Sequence, residues 1–197
     1  MMKIKKISFI FLIYLLNLSP SYSIEPDIFV QSTVNRASKL LSEDISKDEK
    51  VKKLKKIAKD TVDIKGIGFY TLGSFRKKMT NEQKAEYSVL FEEYFLKSFS
   101  SRLAEYTNPE IDVFNKDVLN ENYTIVNSTL KATGDRPEIK IDWRIYTKDP
   151  SNPMIRDLII EGLSLARTQK EEFASILTSN DGDFNSLFKS LKDFSNN

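Results

Sequence analysis

The side chains able to move a proton in this sequence are few in kind. It has no cysteine and no histidine. Cys/His zinc sites, Ser-His-Asp triads, Cys-His dyads and histidine-ligated haem are therefore excluded. Carboxylates and tyrosines remain. Asp142, Asp157 and Tyr146 are the residues a small pocket enzyme would draw on as acid or base, and Asp157 with Glu161 is a couple by residue type. Spacing argues against that couple: four residues apart on a strand is about 13 Å, too far for a close carboxylate dyad. Asp142 falls on the polar side of its strand, whereas such enzymes rely on a positioned His or a carboxylate in an apolar pocket. Ligand loops are no better supported. "GIG" at 66–68 lacks a third glycine and a preceding strand. "NDGD" at 180–183 places Phe188 where a twelve-residue calcium loop needs a bidentate Glu.

The other chemistry on offer is apolar. "FEEYFLKSFSSRLAEY" carries Phe91, Tyr94, Phe95, Phe99 and Tyr106 in one helical stretch. At about 100° per residue, Tyr87, Phe91, Phe95, Phe99 and Leu103 drift around the helix in steps of about 40°. Leu90 and Tyr94 widen this arc, and Glu86, Glu93 and Lys97 take the other side. An arc covering more than half the circumference, wider than the usual stripe of about 100°, calls for a helix wedged between other elements. Its aromatics either fill a core or line a hole for an apolar ligand.

The elements around that helix follow from period and caps. Helical spacing predicts a first helix over 27–42. Ser46 with Glu49 is a capping box ahead of a stripe of Val51, Leu54, Ile57 and Ala58. Lys50, Lys52, Lys53, Lys55, Lys56 and Lys59 cover the rest of that helix, as a solvated face or as a dock for an acidic partner or anionic lipid. A short helix is expected over 67–72, closed by Gly73. Thr80 with Gln83 opens the long aromatic helix, which runs to about residue 106 and ends before Asn108-Pro109. The period then changes to two. "IDVFNKDV", "YTIVNSTL", "EIKIDWRIY" and "MIRDLIIEG" read as four strands joined by short turns, with Ile139, Ile141, Trp143 and Ile145 alternating against Lys140, Asp142 and Arg144. Thr168 with Glu171 is a third capping box, and Phe184, Leu187, Phe188, Leu191 and Phe194 give a final amphipathic helix. The fold class is α+β: a four-stranded antiparallel sheet packed against helices.

The N-terminus reads as an export signal. Lys3, Lys5 and Lys6 precede an apolar run over 7–18, and Ser21-x-Ser23 suits a signal peptidase, so residues 1–23 are a cleavable signal peptide and 24–197 one domain. The full chain has 30 basic and 28 acidic residues; without those three lysines the balance is 27 to 28. Near-neutral charge gives no reason to expect nucleic acid. An exported domain without cysteine holds together by packing alone.

Three stretches together resemble the MlaC family of periplasmic phospholipid-shuttle proteins. In "DIKGIGFYTLGSFRKKMTNEQ" the match is carried by Asp63, Leu72, Gly73, Phe75, Arg76, Glu82 and Gln83. "FEEYFLKSFSSRLAEY" is similar to the family's long helix. "DLIIEGLSLARTQKEEF" is similar to its closing motif through Asp157, Glu161, Gly162, Ser164 and Phe173. The chain departs where the family often has Trp, at Phe75 and at Pro153, while Trp143 sits one strand earlier. The resemblance implies an apolar cavity between sheet and helices that holds the acyl chains of a phospholipid, no catalytic residue and no cofactor. Phe69, Phe91, Phe95, Phe99 and Leu103 would line it, with Tyr70, Leu72 and Phe75 at the mouth and Ile141, Trp143 and Ile160 on the sheet wall. It further implies a periplasmic monomer whose partners are the lipid, an inner-membrane ABC-type lipid transport complex and an outer-membrane lipid-transfer protein. A carrier of a hopanoid or other apolar ligand, a small pocket enzyme and a protein-only adaptor are the competing readings; for Phe69 and Trp143, ordinary core is an equal alternative to lining.

Overall fold

The computed structural model describes residues 23–134 and 136–196, so the expected signal peptide lies almost wholly outside it. Helix α1 (Pro26–Ser42) starts with Pro in its first turn, which costs no hydrogen bond there, and buries Val30, Val34, Leu40 and Leu41. Helix α2 (Lys47–Thr61) is capped by Ser46, whose hydroxyl accepts from Glu49 N–H at 3.2 Å. Only that half of the box forms, because the Glu49 carboxylate takes the Ser46 hydroxyl instead of its backbone. Asp63 caps α3 (Ile64–Thr71) by accepting from Gly66 N–H at 2.8 Å, which starts the helix earlier than the apolar pattern indicates. Gly73, at φ +53°, ends it, and a 3-10 turn (Gly73–Lys78) leads on.

Both arms of the Thr80/Gln83 box close at the start of α4 (Asn81–Leu103). Strands β1 (Ile111–Asn120), β2 (Tyr123–Leu130), β3 (Ile139–Tyr146) and β4 (Met154–Ile160) form an antiparallel meander. A fifth strand was not expected: β5 (Leu163–Ser164) folds back on β4 through Glu161 and Gly162, both left-handed at φ +49° and +81°. That turn also corrects the third capping box. Helix α5 (Leu165–Ser179) is capped by Ser164, which accepts from Arg167 N–H at 3.1 Å. Thr168 is already inside the helix and donates to the Ser164 carbonyl. "NDGD" is the corner into α6 (Phe184–Asn196), where Gly182 N–H closes on the Leu177 carbonyl at 2.7 Å.

Strand register separates the two faces of the sheet. Val126, Trp143 and Ile145 share one face and join Val30, Val34, Tyr87, Phe91, Phe173, Leu187 and Phe188 in the main core. The alternate residues Asn127, Asp142 and Arg144 lie on the other face. A smaller core of Leu40, Leu41 and Leu54 fills the corner between α1 and α2.

Candidate functional site

One row of residues crosses the helix-facing side of the sheet in register: Val113, Ser128, Ile141, Ile160 and Leu163, from β1 to β5. Its one polar member is satisfied within the sheet. Ser128 donates to the Ile141 carbonyl at 2.9 Å and accepts from Trp143 Nε1 at 2.8 Å. Val113, Ile141 and Ile160 are only half buried, and Leu163, at the sheet's edge, is 53% exposed. On the helical side Phe95 and Phe99 stack, their ring centroids 5.6 Å apart and planes 10° from parallel, and both are half buried. Large apolar groups so placed, between two layers and short of full burial, keep surface for an apolar partner.

The aromatic arc of α4 is thus divided along its length. Phe91 is 2% exposed, ringed by Tyr87, Tyr94, Phe95 and Phe173 at centroid distances of 5.7 to 6.3 Å, and belongs to the core. Tyr94 ties three helices: its hydroxyl donates to Gln169 Oε1 at 2.6 Å and its ring lies 4.8 Å from that of Phe194. Burial pushes the phenols of both Tyr87 and Tyr94 above the usual range, with Glu172 adding to the effect at Tyr94.

Of the residues expected to line a cavity, Ile141 and Ile160 lie in the row, and Phe95 and Phe99 pack, half buried, against the same core as Ile141. Trp143 sits in the next row and is core. Leu72 was expected at a mouth; it is 1% exposed, because the turn at Gly73 folds it inward. Leu103 faces away from the row and packs with the α1–α2 corner. Phe69 and Phe75 are half buried, with Arg76 and Lys78 over their rings, and Tyr70 is exposed under Lys170. Sequence reasoning missed Val113 and Leu163. The period-two pattern contained Val113, but Leu163 lies in "EGLS", which reads as a turn.

Of the residues a pocket enzyme would draw on, Asp157 has a structural role. Asp157 is 3% exposed and accepts from Ser164 Oγ at 2.6 Å and from Ala166 N–H at 3.0 Å, fixing the start of α5 to β4. Asp142 accepts from Asn127 Nδ2 at 2.9 Å on the polar face. On α2, Lys53 and Lys59 pair with Glu43 and Glu92, while Lys52, Lys55 and Lys56 make no ion pair among the described residues.

Comparison with known proteins supports the resemblance given by the three motifs. The family model for the MlaC protein matches residues 31–193. The fold matches that of the phospholipid-binding protein from Ralstonia solanacearum, solved at 1.53 Å in complex with a phospholipid, with a TM-score of 0.74. The match covers 87% of this chain and 97% of that one at 20% identity, a likeness of fold. With the family model spanning most of the sequence, the chain belongs to the MlaC family.

Proposed function

We propose that the protein binds a phospholipid by its acyl chains and carries it between membranes. The observation that carries this reading is the apolar row Val113–Ile141–Ile160–Leu163 on the helix-facing side of the sheet, which reaches the edge at exposed Leu163, together with the half-buried stacked pair Phe95 and Phe99, which packs against the same core as Val113 and Ile141. Chains inserted along it enter at Leu163, and the headgroup stays at that edge. Family membership and the phospholipid seen in the neighbour of like fold support the same ligand class. The energetics fit a carrier. Each methylene exposed to water costs about 0.8 kcal/mol, so two chains of about fifteen methylenes cost on the order of 24 kcal/mol. Replacing water by apolar walls removes that cost without any reacting group, so the protein acts as a carrier and not as an enzyme.

In the finer reading, residues 1–23 are cleaved on export, the mature protein is periplasmic, and it shuttles lipid between the outer membrane and an inner-membrane ABC-type complex. Native mass spectrometry of the mature protein, with lipid extraction from the same sample, tests the ligand. A retained phospholipid mass is expected. A bare polypeptide, or a polycyclic lipid in its place, would overturn it. N-terminal sequencing should return Ile24 or a near neighbour.

A further inference from the structure

A second concavity lies on the other side of the sheet, where Arg144 and Asp157 pair in register between β3 and β4. It has a volume of about 340 Å3, and its walls include Ile67 and Tyr70 of α3, Leu119 and Tyr123 of the β1–β2 hairpin, and Ala166 of α5. Three features give it a chemistry of its own. Its walls are apolar over most of their area, and Asn120, Arg156 and Asp157 line it as well. The Arg144 guanidinium lines it, 37% exposed, and makes no hydrogen bond to a side chain or carbonyl among the described residues. It forms an ion pair with buried Asp157 at 3.6 Å, too long for a hydrogen bond, and that carboxylate takes its hydrogen bonds from Ser164 Oγ and Ala166 N–H, so the guanidinium N–H groups stay open to a second acceptor. The neighbouring Arg156 is spent differently: it grips Asp63 through two nitrogens, donates to the Tyr123 hydroxyl at 2.9 Å and lies 3.9 Å from the Tyr146 ring centroid. Arg144 is thus a forked donor facing an apolar cleft, a geometry that matches a carboxylate.

Size decides what the carboxylate is attached to. At about 340 Å3 the cleft stands at the small end of ligand pockets, which run from about 300 to 1,000 Å3. That is small for a diacyl lipid and suits a medium-chain fatty acid. We propose that this cleft is a binding site for a medium-chain fatty carboxylate, held by Arg144 and walled by Ile67, Tyr70 and Leu119, separate from the acyl-chain row on the opposite face.

Isothermal titration of the mature protein with octanoate, octanol and inorganic phosphate tests it. Octanoate should bind at least tenfold more tightly than octanol or phosphate. Arg144→Gln should abolish that preference, and Arg144→Lys should restore part of it. Leu119→Glu, at the exposed hairpin tip, should weaken octanoate at least tenfold in a folded protein; it carries the test if Arg144→Gln does not fold. Bound phospholipid should be unchanged by octanoate and by Leu119→Glu. Equal affinity for octanoate and octanol in the unsubstituted protein, an unchanged affinity in Leu119→Glu, or release of phospholipid by octanoate would each overturn the assignment. Only the last would join the cleft to the phospholipid site.

Discussion

Gly68 of α3 lies directly against Phe91 of α4: a Cβ added at position 68 would sit 2.7 Å from Phe91 Cδ1. The two helices approach so closely because one presents no side chain where the other presents a ring. Gly68→Ala gains up to about 1 kcal/mol in helix propensity, but it overpacks a buried ring at a cost of about 1–3 kcal/mol. A net loss of stability is expected, visible as a fall in the thermal midpoint. An unchanged midpoint would mean that α3 and α4 separate without cost.

Two phenylalanines one helical turn apart should respond differently. Phe91→Ala removes a fully packed ring and should cost about 3–5 kcal/mol. Phe95→Ala removes a half-buried one and should cost clearly less in lipid-free protein, with a larger loss when lipid is bound. Urea unfolding of both variants, delipidated and loaded, measures the difference. Equal losses throughout would make Phe95 ordinary core.

Ile141 stands between Ser128 and Ile160 in the apolar row. In a filled core Ile141→Trp would be strained. Beside a row that takes up lipid, the larger side chain occupies the space of the chains. The expected variant is folded, with its thermal midpoint nearly kept and most of its extractable phospholipid gone. A folded variant that keeps its lipid would place the chains elsewhere.

Tyr87 gives a pH signature. Its hydroxyl shares a 2.8 Å hydrogen bond with Thr71 and donates to the Gly68 carbonyl, and burial holds its proton far above the ordinary tyrosine value. Because the folded pKa is the higher one, its contribution is complete below about pH 10. Above that it declines by up to about 1.4 kcal/mol per pH unit as the unfolded chain ionises. Tyr87→Phe should cost about 1 kcal/mol at neutral pH and flatten the alkaline fall in stability. The part due to Tyr94 should persist. Denaturant unfolding at neutral pH and near pH 11 checks both.

Asp157 anchors α5 to β4 through Ser164 and Ala166. Asp157→Ala leaves a buried hydroxyl and a helix N–H without their acceptor, at about 1–3 kcal/mol. Bound phospholipid should survive at temperatures where the variant stays folded, because the side chain is on the face opposite the row. A proton-transfer role would instead predict an activity lost with stability unchanged.

What the sequence by itself determined were the features set by contacts a few residues apart. The Thr80/Gln83 box, the stop at Gly73 and the alternation of Ile139 to Ile145 each depend on a side chain and a backbone group within one turn or two strand positions. Local spacing alone pointed to Thr168 as the start of α5. Tertiary structure moved it to Ser164, because the acceptor that makes β5 and the helix start one unit, the Asp157 carboxylate, lies on an adjacent strand. The aromatic arc divided for the same reason. Phe91, Phe95, Phe99 and Leu103 are equivalent along the sequence. What makes them differ is distant in the chain: Gly68 closes α3 over Phe91, Phe95 and Phe99 pack only partly buried against the main core, and Leu40 and Leu41 receive Leu103. Burial at each position depends on the neighbour that arrives, and only the packed chain specifies that neighbour.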